Sequence, residues 1–221
     1  MAMEVVREWH RRTGLKIHES YGLTESAAMV TYNHYYHHVV GSVGTPINLV
    51  EVEIRDKNGQ PVPQGKKGEI CIRGDNIFKG YLNNPEETAA AFWDANWFRS
   101  GDIGVIDEKG YLFIVDRLKD MIITGGENVY PREVEEILYT WSGICECAVV
   151  GSADWEYGER VTAYLVTQPG CTVDTTELKA FLKNQLPGYK VPKQFIVVNE
   201  IPKSSTGKLL KRELRKTDAH D

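Results

Sequence analysis

The stretch "DRLKDMIITGGENVYPREVE", residues 116–135, separates two kinds of sequence. Upstream, from about Ser42, short alternating runs are punctuated by turn chemistry. "VEVEIR-DKNG-QPV" and "DIGVI-DEKG-YLFIV" each place a glycine at the end of a polar turn between strands. Between them "NPEETAAAFW" predicts a helix with Pro85 in its first turn and glutamates near its positive end. This region is expected to be mostly antiparallel sheet, barrel-like in form. Downstream of Lys119, "MIIT-GGEN-VYP" predicts a hairpin, and "PREVEEILYTWSG" a helix opening on Pro131 and closing on Gly143. "CECAVVGS", "ERVTAYLVT" and "KQFIVVN" read as strands, and "TTELKAFLKNQLP" as a helix capped near Asp174 or Thr175. Helix and strand alternate here at short spacing, as in a compact α+β domain of about a hundred residues.

At the start, "MEVVREWHRRTG" has helical spacing and stops at Gly14, and "LKIHES" predicts a short strand running into "YGLTES". The 221 residues are 42% apolar and 26% charged, and the net charge of −5 provides no positive field to gather nucleic acid or acidic lipid. No apolar run reaches the span of a membrane helix, and no signal-peptide core is present at the N-terminus. Cys71, Cys145, Cys147 and Cys171 form no C-x-x-C pair, so they read as reduced thiols of a cytoplasmic protein. His34, His37 and His38 have chelating spacing, yet no carboxylate or cysteine accompanies them, and a surface loop is the simpler reading. Arg73–Asp75, "RGD", reads as a strand end.

Lys208, in "IPKSSTGKLLKRELRK", admits three readings: a phosphate loop, a basic patch, or a catalytic lysine on a mobile arm. A Walker loop fails, because Pro202 stands where its first glycine belongs and Leu209 replaces the magnesium-binding hydroxyl. The patch of Lys203, Lys208, Lys211, Arg212, Arg215 and Lys216 contains Glu213, and taken alone it reads as a solvated helix face. "ESYGLTES" sets an aromatic ring, a hydroxyl and a carboxylate side by side after a strand. Such a set suits a base, a phosphate and magnesium, and it equally suits a turn. Asp102 in "RSGDIG" is a diol acceptor or a turn residue, and the glycines of "GGEN" admit close backbone approach or close a hairpin.

Taken together and in order, "YGLTE", "SGD", "DRLKDMIITGGENVYPREVE" and "PKSSTGKLLKREL" resemble four C-terminal signatures of the AMP-forming adenylate synthetases. That superfamily includes acyl-CoA synthetases, aryl-CoA ligases, luciferase and peptide-synthetase adenylation domains; the likeness is nearest to medium- and long-chain fatty acyl-CoA synthetases. The resemblance implies an α+β chain in three parts: residues 1–41 ending a large N-terminal domain, 42–116 a barrel-like β subdomain, and 117–221 a mobile C-terminal domain hinged near Lys119. It implies a carboxylic acid activated by ATP to an acyl-adenylate and passed to CoA, with magnesium as cofactor.

By that resemblance Glu19, Ser20, Tyr21, Gly22 and Leu23 surround adenine, Thr24 bonds the α-phosphate and Glu25 holds magnesium. Asp102 accepts the ribose hydroxyls, Arg117 reaches the same ribose, and Lys208 bridges the carboxylate and the α-phosphate. Gly125, Gly126 and Glu127, beside Asn128, would line a thiol channel, and Tyr157 and Lys190 would contact the CoA nucleotide. The family's phosphate loop precedes "YGLTE" in longer chains, so this chain is expected to be a C-terminal portion without adenylating activity alone. Loading of a carrier protein and a non-catalytic interaction module are the rival readings. Homo-oligomerisation stays open.

Overall fold

The computed structural model describes residues 3–94, 96–205 and 207–217. Its contacts divide it into two compact units, Met3–Leu118 and a second that begins at Lys119.

In the first unit, helix α1 (Met3–Thr13) ends on Gly14, whose φ of 69° only glycine adopts without strain and whose N–H bonds His10 O at 2.8 Å. Strands β1 (Ser20–Tyr21), β2 (Thr31–Tyr32) and β3 (Thr45–Pro46) form a small antiparallel sheet. The strand expected over "LKIHES" pairs only at its last residue. Past Tyr32 the partner still bonds once, Asn33 N to Glu19 O, while the Asn33 side-chain amide donates to Val39 O and Ser42 O in the loop that follows.

A larger antiparallel sheet follows, made of β4 (Val50–Arg55), β5 (Gly68–Gly74), β6 (Phe92–Trp93), β7 (Trp97–Ile106) and β8 (Leu112–Arg117), ordered β4-β5-β7-β6 with β8 also on β7. It curls as a half-barrel around Val30, Val43, Val50, Ile54, Ile70, Ile72, Phe98 and Leu112. Helix α2 (Pro85–Ala90) begins where Asn84 Oδ1 accepts from Glu87 N. It is shorter than the sequence suggests: Phe92 and Trp93 leave it to pair with Phe98 and Trp97. Phe92 then stacks with Phe78 at 5.9 Å and packs against Phe98.

The second unit opens with β9 (Ile122–Thr124) and β10 (Glu127–Val129), joined by Gly125 and Gly126, both at positive φ, the two-residue turn that matches strand twist. Helix α3 (Pro131–Leu138), strands β11 (Ile144–Asp154) and β12 (Gly158–Thr167), helix α4 (Thr175–Lys183), strand β13 (Gln194–Val197) and helix α5 (Lys211–Thr217) complete it. The sheet runs β10-β9-β12-β11, with β13 parallel to β12. "CECAVVGS" is apolar on both faces because both are covered. Cys147 and Val149 meet Val134, Leu138, Leu178 and Leu182 from α3 and α4. Ala148 and Val150 meet Tyr164, Ile201 and Leu214 on the other face.

Candidate active site

In the first unit, β1 delivers Tyr21, and β7 and β8 deliver Asp102 and Arg117 as register partners. The Tyr21 hydroxyl donates to Asp102 Oδ2 at 2.8 Å, and Arg117 Nε lies 3.6 Å from Oδ1. Asp102 is 7% exposed, whereas the Arg117 side chain is 53% exposed, so the long ion pair is a weak, solvent-screened one. Burial first, and then the Asp102 charge, push the Tyr21 phenol far above its usual value and keep it a donor.

The segment of β7 that carries Asp102 is held by neighbouring side chains. Gly101 N–H reaches Glu69 Oε1 at 3.3 Å, Arg99 pairs with Oε2 at 3.1 Å, and Ser100 Oγ donates to Ile70 O while accepting from Asp102 N. Glu69 was not legible as a site residue. Its signal is a carboxylate inside the buried run of β5.

The "YGLTE" segment folds tightly after β1. A Cβ on Gly22 would lie 1.8 Å from Ala28 O, so only glycine fits there. Ala27 and Ala28 take positive φ values of 50° and 81°, turning the chain back so that Val30 N bonds Tyr21 O. Thr24–Ser26 form one turn of 3₁₀ helix, with Leu23 N donating to Ser26 Oγ, and the Thr24 side chain faces solvent. Glu25 is half-buried; Phe78 N bonds its backbone O, and its Oε1 accepts from the Tyr81 hydroxyl at 3.1 Å. A carboxylate oriented through one oxygen by the Tyr81 hydroxyl leaves lone pairs open, and oxygen donors of this kind suit a hard cation such as magnesium. Glu19 is half-buried and its O accepts from Asn33 N, while Ser20 is exposed.

In the second unit, Gly125 N bonds Tyr157 O at 2.9 Å, and Gly126, Glu127 and Asn128 are exposed beside it. Lys193 Nζ sits 3.4 Å from the centre of the Tyr157 ring, a cation that the sequence did not single out. The Lys190 side chain is 11% exposed, and its ammonium lies 2.8 Å from a Glu133 carboxylate oxygen. Lys208 is exposed after a turn in which Gly207, at φ 80°, bonds Ser204 O and Ser204 N bonds Lys208 O. Lys208 N also bonds Ser204 Oγ at 3.1 Å. Lys119 is exposed at the start of the unit.

His38 Nε2 lies 2.8 Å from Ile17 O and His18 packs edge-on against it, and no cluster of three metal-ligating side chains occurs among the described residues. β5 ends at Gly74, so "RGD" straddles a strand end, with Arg73 paired to Glu51. No helix among the described residues is long and apolar enough to cross a membrane.

Comparison with known proteins places this geometry. Residues 1–82 match the AMP-binding enzyme family, and residues 133–208 match the AMP-binding enzyme C-terminal domain. A feruloyl-CoA synthase from Amycolatopsis sp is 44% identical over 92% of this chain and 42% of its own length. A long-chain-fatty-acid–CoA ligase from Bacillus subtilis is 41% identical over 97% of this chain and 38% of its own. Among solved structures, ATP-bound MatB from Rhodopseudomonas palustris superposes with a TM-score of 0.93 at 40% identity, covering 97% of this chain and 43% of that one. The chain thus spans about two-fifths of the length of the curated relatives it matches. It belongs to the AMP-binding enzyme family.

Proposed function

We propose that this chain supplies the nucleotide edge and the C-terminal arm of an AMP-forming acyl-CoA synthetase whose acid has a large apolar body, fatty or arylalkenoic. Relatives named for feruloyl and long-chain acyl substrates support that acid class. The observation that carries the reading is the pairing of Tyr21 and Asp102, a buried carboxylate held in place on the sheet by a neutral phenol and the Glu69-braced segment of β7.

In this reading Asp102 accepts the two ribose hydroxyls and Arg117 steadies the same sugar. The backbone from Glu19 to Leu23 walls the adenine, with the ring of Tyr21 against it. Thr24 donates its hydroxyl to the α-phosphate, and Glu25 holds magnesium, which when bound offsets charge on the phosphates. The acid's carboxylate oxygen attacks the α-phosphorus and pyrophosphate leaves. Two anions must meet, so Lys208 contributes a compact positive charge between them. The CoA thiolate then attacks the acyl carbonyl and AMP departs. Lys208 serves the first step and the Gly125–Gly126 turn the second, with Lys119 as the pivot between them. Tyr157 and Lys190 contact the CoA nucleotide, Lys190 by exchanging its Glu133 partner, and Lys193 adds a cation beside the Tyr157 ring. Free thiols throughout the chain support a reducing, cytoplasmic setting.

The test joins this chain behind the N-terminal three-fifths of a feruloyl-CoA synthase relative and offers a panel of acids with ATP and CoA. The expected result is acyl-CoA with stoichiometric AMP, lost on Asp102→Ala. ADP in place of AMP, or full activity of the Asp102 variant, would contradict the reading.

A further inference from the structure

We propose that Arg215 is a positioning residue that locks the first two residues of the second unit onto the helix following Lys208. Its Nη1 donates to Lys119 O and its Nη2 to Asp120 O, both at 3.0 Å. Leu118–Asp120 is a three-residue 3₁₀ turn, too short to supply its own donors to these carbonyls. A planar guanidinium spans two successive carbonyls, which a single ammonium matches poorly. Its Nε is buried without a partner, so the side chain has given up water at that atom while its two Nη groups hold these carbonyls.

The base of the clamp is fixed separately. α5 is tied down by Lys211 on Glu135 at 2.8 Å, with side chains 14% and 12% exposed, and by Leu214 in the core, whose O accepts from the Tyr164 hydroxyl. Arg215 therefore projects from an anchored helix seven positions after Lys208 and grips the chain where the second unit begins. From the Lys119 carbonyl onward the backbone is bonded to α5, so rotation at the proposed pivot is confined to the Lys119 backbone ahead of that carbonyl.

The structural part of this proposal stands alone; its catalytic consequence rests on the reading of Lys208 given above. The first arm of the test follows tryptic cleavage of the Lys119–Asp120 bond in the 221-residue chain. The Lys119 side chain is exposed, so the pinned backbone limits cleavage. Arg215→Ala is expected to accelerate it about tenfold through loss of two charge-assisted bonds. Arg215→Lys should fall between, and Arg212→Ala, whose side chain pairs only with exposed Glu213 among the described residues, should match the parent. Cleavage of Arg215→Ala at the parent rate, or a parallel rise after Lys183 that signals general unfolding, overturns the clamp.

The second arm uses the joined enzyme. Arg215→Ala should lower kcat of adenylation about tenfold with KM for ATP unchanged, because the residue orients Lys208 without touching substrate. Unchanged kcat overturns the coupling to Lys208. If Lys208→Ala itself leaves adenylation intact while Arg215→Ala still accelerates cleavage, the reading of Lys208 falls and the clamp stands.

Discussion

A single hydroxyl organises the proposed nucleotide edge. Tyr21→Phe removes the donor to Asp102 Oδ2 and leaves a 7%-exposed carboxylate short of one bond. The expected cost is about 1–3 kcal/mol of stability in urea titration, with weaker ATP binding in the joined enzyme. Because the phenol's ionisation is displaced far upward, Tyr21 should contribute no inflection to activity near neutral pH. Thiols give a second check. Burial pushes Cys71 up to about 12, and Cys147 is displaced upward by the same cause, whereas Cys145 and Cys171 are exposed. Ellman's reagent at pH 8 should therefore titrate Cys145 and Cys171 natively and the other pair only in denaturant. Raised thiols keep their stabilising effect below the unfolded value near 9, and it declines as pH climbs from there toward 12. Tyr21, Asp102 and Lys208 stand out as candidates in the sequence because each sits in a quotable motif. Tyr81 could not, since it meets Glu25 across 56 residues, and neither could Glu69 or Lys193, whose neighbours are set by sheet register and loop packing.

Among the elements, the β7–β8 and β9–β10 hairpins and helix α4 were legible because local chemistry decides them: Gly125–Gly126 for the second turn, Asp174 accepting from Thr176 N and Glu177 N for α4. Where tertiary pairing competes with propensity the sequence misleads, as at Phe92 and Trp93, which leave the predicted helix for aromatic neighbours. The same contrast yields a prediction at the Gly125–Gly126 turn. A Cβ on Gly125 would meet the Tyr157 ring at 3.1 Å, while one on Gly126 meets nothing within 4 Å. Each alanine variant should cost about 1 kcal/mol in thermal unfolding through its positive φ. If the open face of Gly126 is what a thiol arm passes, Gly126→Ala should slow thioester formation from supplied acyl-adenylate and leave adenylation unchanged. Equal slowing of both steps would remove this turn from the thiol path.

Over the whole molecule, each unit owns a core. Val30, Ile70, Ile72 and Phe98 close the first, and Val149, Leu165, Leu178 and Leu182 the second, which is further covered on its other face by Leu214. Residues 119–221 expressed alone should therefore unfold in one cooperative urea transition; a broad, non-cooperative one would show that the second core depends on the first. The change of periodicity near Lys119 could be read from sequence because the pattern switches from hairpins to alternating helix and strand. What could not be read is the Arg215 clamp, which joins positions 95 and 96 residues apart. The account's central claim is that Lys208 supplies charge to one half-reaction and not the other. It is tested most directly by Lys208→Ala in the joined enzyme, measuring ATP–pyrophosphate exchange beside CoA capture of supplied acyl-adenylate. The account predicts that exchange falls by about two to three orders of magnitude while CoA capture stays within a few-fold of the parent. Equal loss in both steps, or exchange that persists, would contradict it.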